Sequence, residues 1–204
     1  MITLYHVPGA RSTRSLWLLH ELGVEFELVE MAFDLKVLRA PEYLAIHPLG
    51  RVPCLVDDGQ TIFESGAIAQ YLCEKYDDGR LGRGPDHPER YEWLQWIHYA
   101  ETVAVHGASL VQQSVFIPEE QRSPIVQKLE SRRLEKAVEV LDNHLKDRDY
   151  LLASGFSAAD VNVGYSIYLG DQFVSFDAFP TAMAYYARLR ERPAFQASVP
   201  KKGE

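Results

Sequence analysis

Three short stretches carry side chains able to hold or activate a small polar ligand. Glu64-Ser65 follows one apolar run and opens another. A helix start there offers N–H groups and the positive end of the helix dipole, which suit a carboxylate. Ser65 adds a hydroxyl donor and also suits the helix N-cap. Arg51-Val52-Pro53 stands before a short apolar strand. Its proline reads as an ordinary trans residue opening an edge strand. Only about 5% of X-Pro bonds in folded proteins are cis, so the residues alone favour the trans reading. The third stretch lies ahead of the first helix, where Ser12 is the best-placed hydroxyl, Arg11 a neighbouring cation, and Tyr5 a phenol in the preceding strand.

Other chemistries lack their residues. No GxSxG, HExxH or GxxxxGK[ST] stretch occurs, which removes the signatures of serine hydrolases, zinc proteases and P-loop nucleotide hydrolases. The seven histidines show no ligand spacing, so no metal is expected. Cys54 and Cys73 stand alone. They make neither a zinc site nor a disulfide framework, and they suit a reducing, cytoplasmic setting. Cys54, at the start of a strand, reads as buried and inert. Glu119-Glu120 reads as solvated loop charge.

These residues need elements to hold them. Ile2 to Tyr5 predicts a strand, Ser12 to Leu22 a helix closed by Gly23, and Phe26 to Val29 a second strand,. A short helix is expected over Pro41 to Ile46. Cys54 to Asp57 and Thr61 to Phe63 flank Asp58-Gly59, a hairpin signal, and a helix follows from Ser65 to about Tyr76,. Strand–helix–strand, loop, hairpin and helix is the thioredoxin-like order. Residues 77–88, rich in Gly, Asp, Arg and Pro, read as a linker. Helical spacing then dominates, over Glu89 to Phe116, Ile125 to Leu145, a stretch after Ser157, and Ala178 to Arg190,. The expected organisation is an α/β thioredoxin-like domain at 1–78, a linker at 79–87 and an all-α bundle at 88–204.

The whole chain has 204 residues, 47% apolar and 25% charged, with a net charge of −8. Such an acidic balance argues against non-specific nucleic-acid binding. The first residues lack the pattern of a signal peptide, and no apolar run approaches the roughly 20 residues of a membrane helix. No nucleic acid and no membrane is therefore expected as a partner.

Four segments, in order, resemble glutathione S-transferases. They are Arg11-Ser-Thr-Arg-Ser-Leu-Trp-Leu-Leu-His-Glu-Leu-Gly23, His47-Pro-Leu-Gly-Arg-Val-Pro53, Phe63-Glu-Ser-Gly-Ala-Ile68 and Phe156-Ser-Ala-Ala-Asp-Val161. The family usually has Asn where His47 stands. The resemblance implies a cis Val52-Pro53 bond whose backbone pairs with the cysteine of glutathione, used as co-substrate. It implies that Glu64 meets the ligand's amino group, Ser65 its γ-glutamyl carboxylate and Arg51 its glycine carboxylate, an exposed surface arginine being the rival reading for Arg51.

Transfer chemistry requires the thiolate, and a free thiol titrates near about 8.5. Ser12 is the first candidate for stabilising it, Arg11 the main rival and Tyr5 the third. The resemblance further implies a small apolar electrophile in a cleft between the domains, contacted by Trp96, Tyr99, Val103 and His106, which bundle packing would equally explain. It also implies a homodimer and a role in detoxification. A glutathione-dependent peroxidase or disulfide reductase, and a non-catalytic binding protein on the same fold, remain alternatives. The absence of Cys from the first loop excludes CxxC dithiol chemistry. Ser157 and Asp160 form a capping box with no chemistry expected, bracketed by Phe156 and Val161 as a hydrophobic staple.

Overall fold

In the computed structural model, which describes residues 1–200, the chain divides into two units. One runs from Met1 to His87 and includes the tail that begins at Glu191; the other runs from Pro88 to Arg190.

The first unit opens with β1 (Ile2–His6), α1 (Ser12–Leu22) and β2 (Phe26–Glu30). Alternation in β1 buries Ile2, Leu4 and His6. Gly23 ends α1 with φ 68°, its N–H bonding the carbonyls of Leu19 and His20, a left-handed cap that glycine adopts without a Cβ clash. Two short helices, α2 (Leu35–Leu38) and α3 (Pro41–Leu44), precede β3 (Cys54–Asp57), β4 (Gln60–Phe63) and α4 (Ser65–Tyr76). The sheet order is β2-β1-β3-β4; β1 and β2 are parallel and the other pairs antiparallel. Asp58 (φ 49°) and Gly59 (φ 81°) make the β3–β4 turn, both left-handed as a tight hairpin demands.

Helix α1 is buried over every residue from Ser12 to Leu19, wider than the leucine stripe its sequence shows. It packs on α4 and on α9 (Pro193–Ser198) as well as the sheet. The Trp17 ring meets Phe195 edge-on at 4.9 Å, and Arg192 bonds both carboxylate oxygens of Glu21 at 2.6 and 2.7 Å.

The domain limits read from sequence differ from this in two places. Residues 79–87 fold back on α4 rather than forming a separate linker: the Asp77 carboxylate accepts from the N–H groups of Leu81 and Gly82 at 2.8 and 2.7 Å, and Leu81 and Arg83 are buried. The tail from Glu191 belongs with the first unit rather than with 88–190; Lys201 to Glu204, the end of the 88–204 assignment, lie outside the described residues.

The second unit is helical: α5 (Arg90–Val111), α6 (Pro124–His144), α7 (Ala158–Gly170) and α8 (Pro180–Arg190). The helix expected through Phe116 changes at Gln112 into a π-helical turn, where the Ile117 N–H reaches the Gln112 carbonyl. A 3-10 turn at Glu119–Gln121 leads to Ser123, whose hydroxyl caps α6. Helix α7 is buried nearly all round, as befits the central helix of a bundle. Its capping box is present: Ser157 and Asp160 exchange side-chain-to-backbone bonds, and the Asp160 carboxylate also takes the Leu151 N–H and the Tyr185 hydroxyl.

Candidate functional site

The ends of β1 and β4, the start of β3, and the starts of α1 and α4 come together at one edge of the first unit. Pairing of Cys54 with Tyr5 on one side and with Phe63 on the other sets Val52-Pro53 and Glu64-Ser65 beyond adjacent strand ends. The Val52-Pro53 bond is cis. Ala10 from the first turn and Val52 both pack on a cluster formed by Val7, Leu38 and Tyr43, so apolar burial brings the first turn and the cis-proline loop together.

Tyr43 holds that loop. Its hydroxyl donates to the Arg51 carbonyl at 2.6 Å, and burial raises its pKa well above that of a free phenol. His47 is buried, and its Nδ1 accepts from the Leu49 N–H at 3.2 Å. The imidazole thus closes the turn through a local side-chain-to-backbone bond of the kind Asn makes. Burial lowers its pKa, which keeps that nitrogen an acceptor. Gly50 takes φ 56°, and a Cβ there would lie 2.2 Å from the Leu38 carbonyl oxygen; only glycine fits.

At the other strand end, Glu64 occupies the cap position of α4 with φ 74° and ψ 111° and makes no side-chain cap bond. This left-handed backbone is strained for a residue with a Cβ, and such strain gathers at functional sites. Ser65 is the first residue of α4 rather than its N-cap. Its hydroxyl is not spent on the helix backbone. It accepts instead from Arg14 Nη1 at 2.9 Å, and both residues are buried. Glu64 and Arg51 are exposed, and Val52 is half-buried.

The first-turn candidates separate. Ser12 is wholly buried as the first residue of α1, and Arg11, not Ser12, stands at the cap. The Ser12 hydroxyl lies 2.8 Å from His6 Nδ1, receives the Val7 N–H at 3.1 Å and lies 3.3 Å from the Val7 carbonyl. It fastens the end of β1 to α1 and presents no surface to a ligand. Burial drives His6 down to about 4, against hydrogen bonding at Ser12 that pulls the other way, so the imidazole is neutral near pH 7. Arg11 is half-buried at the mouth of the turn. Tyr5 packs against Tyr43 with ring centroids 5.5 Å apart, a core contact. Burial pushes the Cys54 thiol up to about 11, which leaves it a protonated, unreactive group.

Of the residues assigned to a second-substrate pocket, Trp96 and Val103 are buried and offer no ligand surface. The Trp96 ring lies 4.5 Å from His144. Tyr99 and His106 are half-buried. The Tyr99 hydroxyl donates to the Ala137 carbonyl at 3.0 Å, and His106 Nδ1 lies 2.7 Å from a Glu130 carboxylate oxygen. Arg14 and Tyr43 were not singled out by sequence reasoning. Arg14 carries one faint signal, a cation on the helix face that also bears Leu18. Among the described residues, no group of three or more His, Cys, Asp or Glu could hold a metal, and no helix is long and apolar enough to cross a membrane.

Comparison with known proteins places this geometry. Residues 1–74 match the glutathione S-transferase N-terminal domain and residues 107–193 the C-terminal domain. Glutathione S-transferase 2 of Schizosaccharomyces pombe is 32% identical, with 96% of this chain and 94% of that one covered. Glutathione S-transferase GstA of Escherichia coli O157:H7 is 29% identical over 98% of each. A crystal structure of a glutathione transferase from Pseudomonas putida, with one glutathione disulfide bound per subunit, superposes with a TM-score of 0.87 at 27% identity, covering 99% of this chain and 92% of that one. Both halves of the chain match in order, each on its own domain, and the chain belongs to the glutathione S-transferase family.

Proposed function

We propose that the chain binds glutathione along the edge formed by Arg51-Val52-Pro53, Glu64-Ser65 and the turn before α1, and transfers it as thiolate to a small apolar electrophile. The observation that carries the reading is the convergence of those three stretches, through the Arg14–Ser65 bond and the Val7–Leu38–Tyr43 cluster. In this reading the γ-glutamyl carboxylate meets the Ser65 hydroxyl and the start of α4, and Glu64 meets the amino group. The Val52 backbone pairs with the cysteinyl unit as an added strand would, and Arg51 meets the glycine carboxylate.

Thiolate stabilisation falls to Arg11 and the positive end of the α1 dipole rather than to Ser12. A guanidinium close to the sulfur favours its ionised form, and a helix start does the same. The thiol proton leaves to solvent, sulfur bonds the electrophilic carbon, and the leaving group departs with its electron pair. The free, buried Cys54 and Cys73 fit the cytoplasm as the setting.

Steady-state conjugation of glutathione to a halogenated aromatic tests this. Arg11→Ala is expected to lower the rate about tenfold and to move its rise with pH upward. Ser12→Ala is expected to change the rate per folded molecule less than threefold. The reverse pattern returns the role to Ser12.

A second reading has one observation in its favour. Val7 to Arg11 contain no hydroxyl, and that of Ser12 is turned inward. A site of this kind suits glutathione-dependent peroxidase or disulfide reductase chemistry, in which two glutathione molecules are oxidised to the disulfide as a hydroperoxide becomes alcohol and water. Turnover of an organic hydroperoxide exceeding conjugation would favour it.

A further inference from the structure

We propose that Pro200 is a positioning residue for the turn that carries Arg11, pressed onto it by the tail from Glu191; the proposal rests on the reading above in which Arg11 faces the glutathione sulfur. The tail runs back along α1 in three steps. Arg192 grips the Glu21 carboxylate through two bonds, of 2.6 and 2.7 Å. The Phe195 ring meets Trp17 at 4.9 Å. Pro200 then reaches the turn ahead of the helix, where a Cβ on Gly9 would lie 3.6 Å from the Pro200 Cγ. Glu21 and Trp17 share one helix face, and the partners fall toward the start of α1 as the tail advances. The two segments are therefore antiparallel.

Gly9 is the joint of that turn. It holds φ 74°, in the left-handed region, and a residue without a Cβ leaves that region at little cost. Its neighbours are fixed from within. The Ala10 N–H bonds the Val7 carbonyl at 3.1 Å, and the Ser12 hydroxyl takes the Val7 N–H. Ala10 also packs on the Val7–Leu38–Tyr43 cluster. At Gly9 itself the backing comes from the tail. Pro8 and Ala10 set aside, no heavy atom of the described residues other than Pro200 Cγ comes within 4 Å of the Cβ position. A proline ring is a stiff backing, because it locks its own φ.

Arg11 follows Gly9 by two residues. It has helical backbone angles and makes no side-chain cap bond on α1, so the path of the turn decides where its side chain starts. A shift at Gly9 moves the guanidinium relative to the sulfur, and its pull on the thiol proton falls with distance. Pro200 thus acts through Arg11, from behind the turn.

Ultraviolet difference titration of the thiol of bound glutathione tests this on the full chain. Pro200→Gly is expected to raise the midpoint of thiolate formation by about half a pH unit, roughly a threefold loss of thiolate below the midpoint. Calorimetric affinity for glutathione at a pH where the thiol stays protonated should change less than about twofold. Phe195→Ala, which loosens the tail without touching the turn, should shift the midpoint in the same direction. In an Arg11→Ala background, Pro200→Gly should leave the midpoint in place, since two changes acting through one group do not add. A midpoint unmoved by Pro200→Gly, or moved equally with Arg11 gone, overturns the proposal and leaves the tail a packing element. Should one tail variant fail to fold by circular dichroism, the other decides in its place. An unmodified protein that binds no glutathione, or whose bound thiol titrates like a free one, gives a different result: it removes the reading beneath the proposal, whereas an unmoved midpoint in a protein that binds removes the proposal alone.

Discussion

At the residue scale, the site is decided by which way two serine hydroxyls turn. Both open helices, and their surroundings in sequence look alike. Ser12 points into the end of β1, where His6 and Val7 engage it, and Ser65 is held by a cation from another helix. Neither orientation is legible in sequence, because each is set by a partner that only the folded sheet brings near. Glu64-Ser65 and Val52-Pro53 could be picked out because their neighbours in the chain already mark a hairpin end and a strand start. His6 offers a direct check. Its pKa lies near 4 instead of 6.5, so the unfolded chain binds a proton between those values that the folded one does not. His6 thus favours folding fully above about pH 6.5, and that contribution shrinks as pH falls toward 4. A nuclear magnetic resonance titration is expected to show a neutral His6 ring at pH 5.5; protonation with a midpoint near 6.5 would place the ring in water instead.

At the scale of elements, the sequence marks boundaries well wherever a cap or turn residue is local. The Gly23 end of α1, the Asp58-Gly59 hairpin and the Ser157 capping box lie where their cap and turn residues put them, whereas Ser65, suited to the cap of α4, is its first helical residue instead. What it hides are elements whose reason is tertiary. The six-residue α9 is too short to show periodicity, and it persists because Phe195 packs on Trp17. The four-residue α2 is similar; Leu38 joins the cluster under the cis-proline loop. Two substitutions probe this level. Ser157→Ala should lower stability by about 0.5–2 kcal/mol in urea titration without altering KM for glutathione. Gly50→Ala should cost about 1–3 kcal/mol, since its Cβ meets fixed backbone rather than a flexible side chain,. Unlike the first, it should raise KM, because it displaces the loop bearing Arg51 and Val52.

Acid stability has a local source too. Burial alone would raise the Asp57 pKa, but hydrogen bonds from Lys75, Tyr76 and Tyr71 outweigh it and hold the carboxyl near 2. A carboxyl depressed in the folded state stabilises fully above its ordinary value near 3.8 and loses that contribution as pH falls toward 2,. Lys75→Met should therefore flatten the fall in melting temperature between about pH 4 and pH 2. An unchanged slope would assign the acid sensitivity elsewhere.

At the scale of the whole molecule, two units share one chain, and the chain crosses between them twice. The composition change near residue 77 reveals the first crossing but sets it too early, since residues 79–87 close over α4. The second crossing, at Glu191, has no compositional mark, because the tail is held to the first unit by contacts that only folding brings together, the Phe195–Trp17 ring contact and the Arg192–Glu21 pair among them. Arg192→Ala should cost about 1.5–3 kcal/mol, the usual range for a charged hydrogen bond, and the loss should fall on the unit carrying α1. Hydrogen exchange along α1 and α9 reads this directly; faster exchange confined to α7 would contradict it. The twofold homodimer is proposed on the family resemblance, and sedimentation equilibrium should give twice the chain mass.

The central claim is that Val52-Pro53, Glu64-Ser65 and the start of α1 form one glutathione site. Calorimetric titration of the unmodified protein with glutathione, beside Glu64→Ala and Ser12→Ala, tests it most directly. The account predicts saturable binding that collapses in Glu64→Ala and survives in folded Ser12→Ala. No heat of binding from the unmodified protein at millimolar glutathione, or binding indifferent to Glu64, would contradict it.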